Sequence, residues 1–259
     1  MAKAMLVDLS KCIGCRACQV ACKEWNQNEG EKTENTGTYE NPPDLSPQTW
    51  TKIKFVEQNS GDNVKWLFRR MMCQHCTDAA CEKVCPPKAI SHVETTAVVI
   101  DQDKCTGCKY CISACPFNVP RYDATDNKAK KCTLCIDRIS NGLIPACAKV
   151  CAPGAVQFGE RSDMVKLAKA RMDALKTKGV NDLRLYGESE LGGLGVMVLM
   201  TAAAEDYGFP DKPSFPVSVN LWQDYLKPLT IVAGGGGILA VLVSFIGSIG
   251  YKHKQEGGE

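Results

Sequence analysis

Cysteine is the residue type that dominates the chemistry this chain could perform. The sequence has 16 cysteines among 259 residues. They fall into four groups of four, separated by stretches without cysteine. The groups are Cys12, Cys15, Cys18 and Cys22; Cys73, Cys76, Cys81 and Cys85; Cys105, Cys108, Cys111 and Cys115; and Cys132, Cys135, Cys147 and Cys151.

The spacing within the groups is typical of iron–sulfur ligands. The first and third groups follow the run C-x2-C-x2-C-x3-C, and the second and fourth lengthen only the interval before the third cysteine. Three closely spaced thiolates can surround one [4Fe-4S] cluster, while the fourth begins a helix and reaches the neighbouring cluster of a pair. Proline follows Cys85 and Cys115, as expected in a first helical turn. The pattern predicts four [4Fe-4S] clusters in two pairs.

Other uses of sixteen cysteines remain as alternatives. Disulfides require an oxidising compartment, and the N-terminal sequence shows neither a signal peptide nor a twin-arginine motif. Zinc sites use similar C-x2-C pairs but do not require the third and fourth cysteines at these intervals. A mixed set with one degenerate or [3Fe-4S] cluster is also conceivable, although no group lacks a cysteine. His75 is expected not to be a ligand, and to lie either near a cluster or on the surface.

The segment between Cys85 and Cys105 indicates how the groups pair. Residues 89–93 and 97–101 read as two short strands joined by a turn, as inside one two-cluster ferredoxin module. Groups two and three therefore share a module, and groups one and four form the other. The segment 154–159, which follows group four, resembles the predicted strand 89–93, which follows group two. This similarity favours an internal duplication.

The predicted fold class is α+β, with two ferredoxin-like, two-cluster domains and a single C-terminal transmembrane helix. Residues 51–57 and 64–69 are predicted as a hairpin, and a helix is predicted from Ser162 or Asp163 to about Lys178, ended by Gly179. The predicted domains are 1–72 plus 124–180 (domain A), 73–123 (domain B), 181–227 (an extended connector packing on a partner subunit), 228–252 (the transmembrane helix) and 253–259 (the tail).

The membrane prediction depends on residues 229–251, which carry no charge. A helix of this length spans about 34 Å, enough for a hydrocarbon layer of ~30 Å. Trp222, Tyr225 and Tyr251 are placed like interfacial anchors. Lys252 and Lys254 predict a cytoplasmic C-terminus and a cluster domain on the periplasmic side of the inner membrane. Export would then depend on a partner that bears a signal.

The charge of the chain argues against a nucleic-acid partner, and lysines lie close to the cysteine loops. The formal net charge is +2, which does not suggest a nucleic-acid-binding protein. Four clusters, at roughly −2 each, would shift this to about −6. Several lysines lie in or beside the cysteine loops, either for solubility or to offset cluster charge. They are Lys11, Lys104, Lys109, Lys130 and Lys131.

The chain resembles the iron–sulfur (beta) subunit of membrane-bound respiratory formate dehydrogenases. The four cysteine groups, residues 15–26 with Trp25-Asn26, residues 185–197 with Gly192-Gly193, and the single terminal span carry this resemblance over nearly the whole chain. The cysteine pattern alone is shared with relay subunits of hydrogenases and of dimethyl sulfoxide, polysulfide and nitrate reductases. A zinc-structured, membrane-tethered interaction module is the alternative of another class.

The resemblance implies the cluster ligands. Cluster 1 would be held by Cys12, Cys15, Cys18 and Cys151, and cluster 2 by Cys22, Cys132, Cys135 and Cys147. Cluster 3 would be held by Cys73, Cys76, Cys81 and Cys115, and cluster 4 by Cys85, Cys105, Cys108 and Cys111.

The resemblance also implies the partners and the function. A catalytic subunit with a molybdenum or tungsten bis-pterin centre would oxidise formate, and a haem b membrane subunit would pass electrons to quinone. No residues of this chain suggest a nucleophile or an acid–base pair. The chain is therefore expected to be a non-catalytic electron-transfer subunit without a substrate site of its own.

Overall fold

The computed structural model describes residues 2–60, 63–93 and 96–216, together with residues 219, 221 and 229. The strands are β1 (Lys3–Asp8), β2 (Lys52–Ser60), β3 (Asn63–Met71), β4 (Ile90–His92), β5 (Val98–Ile100), β6 (Arg121–Asp123), β7 (Lys128–Lys130), β8 (Val156–Glu160), β9 (Arg184–Tyr186) and β10 (Val196–Met200). The helices are α1 (Ala17–Trp25), α2 (Ala80–Lys83), α3 (Tyr110–Ala114), α4 (Ile136–Ser140), α5 (Ala146–Lys149) and α6 (Arg161–Lys176), with a 3₁₀ turn at Glu190–Gly192.

A four-stranded sheet of order β8-β1-β10-β9 anchors the first cysteine group. Strand β1 pairs antiparallel with β8, where Met5 lies opposite Phe158, and parallel with β10, where Met5 lies opposite Val196. Strands β9 and β10 lie within the predicted connector 181–227 and belong to this sheet, and every residue of β10 is buried. The apolar run Val196–Met200 suits a strand buried on both faces.

The two faces of this sheet contact different parts of the protein. Ala4 and Leu6 of β1 pack with Ala168 and Leu175 of α6. Met5 and Val7 point the other way, into a core that includes cysteines of several groups. This alternation follows from the two-residue repeat of a strand. It leaves α6 on one side of the sheet and the cysteine loops on the other.

Three two-stranded hairpins connect the cysteine groups. Strands β2 and β3 pair antiparallel from Lys52 opposite Met71 onward, which confirms the predicted hairpin with longer strands. Strands β4 and β5 also pair antiparallel, as predicted. The hairpin β6–β7 was not predicted. The turn residues 61–62 and 94–95 lie outside the described residues. Strand β3 ends two residues before Cys73, and β7 ends two residues before Cys132.

The start of α6 differs from the sequence prediction. The helix begins at Arg161, and Glu160 occupies the N-cap position without a side-chain capping bond, so neither Ser162 nor Asp163 is the cap. The reason is that β8 runs directly into the helix, and the Arg161 amide donates to the carbonyl of Ala2 at 2.9 Å. The helix ends at Lys176, and Gly179 follows with a φ of 81°.

The chain divides into two compact units, Met1–Ser214 and Phe215–Glu259. All the elements named above belong to the first unit. Within the part of the chain that the structure describes, no helix is long and apolar enough to cross a membrane. The predicted span lies outside the described residues except for Leu229, so the membrane helix stays a prediction.

Candidate iron–sulfur centres

The loops of groups one and three have the same design. Each follows a strand that ends near an aspartate, Asp8 or Asp101, whose backbone amide donates at 2.7 Å to an alanine carbonyl in the paired strand segment. Gly14 and Gly107 then adopt φ values of 67° and 69°. Glycine enters this left-handed region without the strain that a Cβ imposes. The same turn therefore recurs between the first and second cysteines of both groups.

The loops of groups two and four are likewise equivalent. The residue before the second cysteine of each, His75 or Leu134, has a positive φ. Its backbone amide donates to the sulfur of the first cysteine, at 3.4 Å to Cys73 and at 3.3 Å to Cys132. The match between the loops agrees with the duplication predicted from the sequence.

Two cavities lie among the cysteines. One, partly open to solvent, is lined by four cysteines that the resemblance assigned to cluster 4. The other, also partly open to solvent, is lined by the four cysteines assigned to cluster 2. We call these sets quartet 4 (Cys85, Cys105, Cys108, Cys111) and quartet 2 (Cys22, Cys132, Cys135, Cys147). In both, the structure brings cysteines of two different groups together.

The remaining eight cysteines also converge in two sets. We call them quartet 1 (Cys12, Cys15, Cys18, Cys151) and quartet 3 (Cys73, Cys76, Cys81, Cys115). In quartet 1, burial raises the pKa of Cys12, and the neighbouring Cys151 and Cys15 raise it further. In quartet 3, burial raises the pKa of Cys76, with added contributions from Cys73, Cys115 and Cys81.

Several of the buried thiols have a raised pKa, which disfavours their ionisation in the absence of a metal. All sixteen are free cysteines. Burial raises the pKa of Cys22 and of Cys111 to about 12, and that of Cys135 to about 11. Closely spaced buried thiolates repel one another, so their deprotonation requires a nearby positive charge such as iron.

Backbone amides surround the sulfurs and fit an anionic cluster. Ala89 donates to Cys85 Sγ at 3.3 Å, and Val156 donates to Cys151 Sγ at 3.3 Å. Ala129 donates to Cys105 Sγ at 3.5 Å. Hydrogen bonds to cluster sulfurs raise the reduction potential and hold the ligands in place. Among the described residues, no three His, Cys, Asp or Glu side chains are arranged to hold a single metal ion.

Comparison with known proteins gives the family. Residues 11–89 and residues 64–161 each match a family described as "4Fe-4S dicluster domain". The chain is 44% identical to the formate dehydrogenase iron-sulfur subunit of Haemophilus influenzae, over 94% of this chain and 80% of that protein. The chain belongs to the family of formate dehydrogenase iron–sulfur subunits.

Two further relatives are a second formate dehydrogenase subunit and a hydrogenase-operon protein. The nitrate-inducible formate dehydrogenase iron-sulfur subunit of Escherichia coli is 41% identical over 94% of this chain and 84% of its own length. The hydrogenase-2 operon protein HybA of Escherichia coli O157:H7 is more distant, at 33% identity over 92% of this chain and 83% of its own length. As a member of the formate dehydrogenase family, this chain is an electron-transfer subunit with four [4Fe-4S] clusters.

In this iron–sulfur subunit the quartets follow one another in a definite order. Burial raises the pKa of Cys18 in quartet 1, and the neighbouring Cys147 of quartet 2 raises it further. In the same way, Cys73 of quartet 3 adds to the raised pKa of Cys132 in quartet 2. Cys111 of quartet 4 likewise adds to the raised pKa of Cys81 in quartet 3. These neighbours link quartet 1 to quartet 2, quartet 2 to quartet 3, and quartet 3 to quartet 4.

The ends of this series reach the protein surface. Cys15 of quartet 1 and Cys108 of quartet 4 are the cysteines whose residues are exposed. By contrast, Cys132 and Cys73, at the junction of quartets 2 and 3, are buried.

Two buried cations, Lys131 and Arg70, lie among the quartets. Lys131 Nζ donates to the carbonyls of Val98 and Cys132, the latter at 3.1 Å. Burial lowers the pKa of Lys131, but the thiolates of Cys73 and Cys81 outweigh burial and raise it. Lys131 was among the lysines expected beside a cluster, whereas Lys104 is 64% exposed and pairs with Asp101.

Sequence reasoning missed Arg70, which lines the cavity of quartet 2. It lies on the β2–β3 hairpin, in a stretch without cysteine, and a strand arginine is ordinarily a surface residue. The one available signal was the pair Arg69-Arg70 directly after the apolar run Trp66-Leu67-Phe68.

His75 is buried rather than exposed. Its Nδ1 accepts a hydrogen bond from the Val98 amide at 3.0 Å. Nδ1 must therefore be the unprotonated nitrogen of the neutral ring, and Nε2 carries the proton. Burial lowers the pKa of His75 well below 6.5. The side chain connects the loop of group two to strand β5.

Trp25, one of the residues that carried the resemblance, joins groups one and four. Its Nε1 donates to Asp137 Oδ2 at 2.7 Å, and the Arg138 guanidinium lies 4.1 Å from its ring centroid. The next residue, Asn26, donates from Nδ2 to the carbonyl of Cys22 at 2.7 Å. These contacts hold helix α1 against helix α4, next to quartet 2, which combines Cys22 of group one with three cysteines of group four.

Proposed function

We propose that quartets 1 to 4 are the ligand sets of the four clusters and that the chain relays electrons from one exposed end of the series to the other. The observation that carries this proposal is the order of the quartets, with Cys15 and Cys108 exposed at opposite ends. When bound, the clusters accept and pass on single electrons. The protein contributes the ligands, the burial and the amide hydrogen bonds that hold each cluster.

We further propose that the cysteine-bearing part is built from two ferredoxin-like modules. Residues 73–123 contribute groups two and three, while 1–72 and 124–180 contribute groups one and four. The equivalent loops at Gly14 and Gly107 support this arrangement.

The electron donor in this proposal is a catalytic partner subunit that oxidises formate at a molybdenum or tungsten bis-pterin centre. The printed names of the relatives identify them as subunits of formate dehydrogenases, which supports such a partner. The acceptor is a haem b membrane subunit that reduces quinone. The uncharged segment 229–251 supports a single membrane helix, with the cysteine domain on the periplasmic side and export alongside the signal-bearing partner.

Cys108→Ser in the purified complex tests the relay. We expect dye-linked formate oxidation by the catalytic subunit to be retained and electron transfer to quinone to fall at least tenfold. Thr106→Ser, an exposed change in the same loop, is the control and should preserve both activities. Retention of both activities in Cys108→Ser with full iron content would contradict the relay. Hydrogen in place of formate as donor tests the hydrogenase alternative.

Cys85→Ser tests the ligand sets, since Cys85 belongs to group two in sequence and to quartet 4 in space. We expect it to remove the same paramagnetic resonance signal as Cys108→Ser. Cys81→Ser should remove a different signal, in common with Cys115→Ser. If Cys85→Ser and Cys81→Ser removed one and the same signal, each group would ligate its own cluster and the proposed sets would be wrong.

A further inference from the structure

Arg70 is a buried cation without a carboxylate partner. It lies on β3 opposite Ile53 of β2, and only 4% of its surface is exposed. Its Nη1 lies 3.0 Å from Met5 Sδ, a weak acceptor, and its Nε makes no hydrogen bond within the described residues. Among the described residues, Arg70 forms no ion pair with an Asp or Glu carboxylate. A guanidinium in such surroundings is strongly unfavourable unless another anion compensates it.

The cysteines supply that anion. Arg70 lines the same cavity as the four sulfurs of quartet 2. Burial alone would lower the pKa of Arg70, but the thiolates of Cys147 and Cys18 outweigh burial and raise it. Cys147 belongs to quartet 2 and Cys18 to quartet 1. The guanidinium therefore lies at the junction of two quartets.

The neighbouring residue in the sequence shows that this placement is specific. Arg69 is also buried, but it points to the opposite side of β3, as strand alternation requires. Its Nη1 donates to the carbonyl of Tyr207 at 3.2 Å, and its guanidinium lies 3.9 Å from the ring centroid of Phe209. Burial lowers the pKa of Arg69 to about 10. Of these two adjacent buried arginines, Arg70 faces cysteines and Arg69 does not.

We propose that Arg70 is a positioning residue that holds a permanent positive charge between quartets 1 and 2 and thereby raises the reduction potentials of both clusters. Reduction adds one negative charge to a cluster, and a nearby fixed cation stabilises the reduced form more than the oxidised form. Arginine suits this role because it keeps its charge when buried. The proposal rests on the ligand sets given under the proposed function.

Redox titration of the whole complex, followed by paramagnetic resonance, tests this role. In Arg70→Met we expect the equilibrium constant for reducing the cluster of quartet 2 to fall at least tenfold, which is 59 mV for one electron. The cluster of quartet 1 should shift in the same direction. The clusters of quartets 3 and 4 should keep their potentials and provide an internal control. Arg70→Lys should restore most of the shift.

Arg69→Met is the matched control, because it removes a buried charge from the same strand without facing a cysteine. It should leave all four potentials unchanged. Unchanged potentials in Arg70→Met, or an equal shift in Arg69→Met, would overturn the proposal. Wild-type complex without four titrating signals would instead contradict the proposed function, so the two failures are distinguishable.

Arg70→Met could assemble incompletely, and this outcome is also informative. Loss of the signals of quartets 1 and 2 alone, restored by Arg70→Lys, supports the proposal because unbalanced negative charge would then prevent those two clusters from being retained. Loss of all four signals, or no restoration by Arg70→Lys, refutes it, since the role of Arg70 would then be general packing.

Discussion

The Asp8 carboxylate and the Arg171 guanidinium join strand β1 to helix α6, with Nε 3.2 Å from Oδ2. The other carboxylate oxygen, Oδ1, accepts from the Ser10 amide at 3.0 Å and from the Ser10 hydroxyl at 2.6 Å. Asp8 is only 2% exposed and lies four residues before Cys12. One buried carboxylate therefore fixes both the helix and the entry to the first cysteine loop.

Asp8→Asn should destabilise the protein, because it removes a buried charge-assisted pair and leaves Arg171 without its anion. We expect a loss of about 2 kcal/mol. This would lower the midpoint of thermal loss of the visible iron–sulfur absorption by roughly 4–8 °C. Asp101→Asn is the control, since Asp101 is the equivalent residue of group three but forms an exposed pair with Lys104. An equal loss in both variants would show that the burial of Asp8 is irrelevant.

Gly107→Ala should disrupt the loop of group three. A Cβ at this residue would clash with the carbonyl oxygen of Asn127, and the φ of 69° already disfavours a side chain. We expect loss of the cluster of quartet 4, with about four irons fewer per chain by metal analysis. Gly142→Ala is the control, because its φ is 74° but no atom lies within 4 Å of the added Cβ. That variant should keep its iron and lose only about 1–2 kcal/mol. Full iron in Gly107→Ala would contradict the predicted clash.

Glu190→Gln should weaken the turn that precedes β10. Glu190 Oε1 accepts from Arg184 Nη2 at 2.8 Å, and Oε2 accepts from the Gly187 amide at 2.7 Å. We expect a loss of about 1–2 kcal/mol, measured as a lower thermal midpoint. Glu188→Gln is the control and should change little, since its pair with Lys169 is largely exposed.

The effect of Glu190 should depend on pH with a definite sign. Burial raises its pKa, but the hydrogen bonds from Arg184 and Gly187 outweigh burial and lower the pKa below 4.5. The stabilisation is therefore complete at neutral pH and is lost as the pH falls from 4.5 through the lower folded value. The midpoint difference between wild type and Glu190→Gln should shrink over that interval. A constant difference would mean that the carboxylate charge is unimportant.

Prediction from the sequence succeeded where structure is local. The hairpins β2–β3 and β4–β5 were predicted because alternating apolar residues and a turn signal lie within a few residues of each other. The cap of α6 was predicted wrongly, because the polar residues Ser162 and Asp163 gave no sign that β8 continues directly into the helix. Strand β10 was missed since its partner β1 lies about 190 residues earlier in the chain.

The spacing of the sixteen cysteines by itself determined the cofactor and the repeated loop design, because cysteines that are close together in the sequence converge through local turns. Only the tertiary structure decided the order of the quartets, the place of 184–200 in the sheet and the position of Arg70 at the junction of quartets 1 and 2. These features depend on contacts between residues far apart in sequence, where burial and charge compensation act on the folded chain and leave no periodic trace in the sequence.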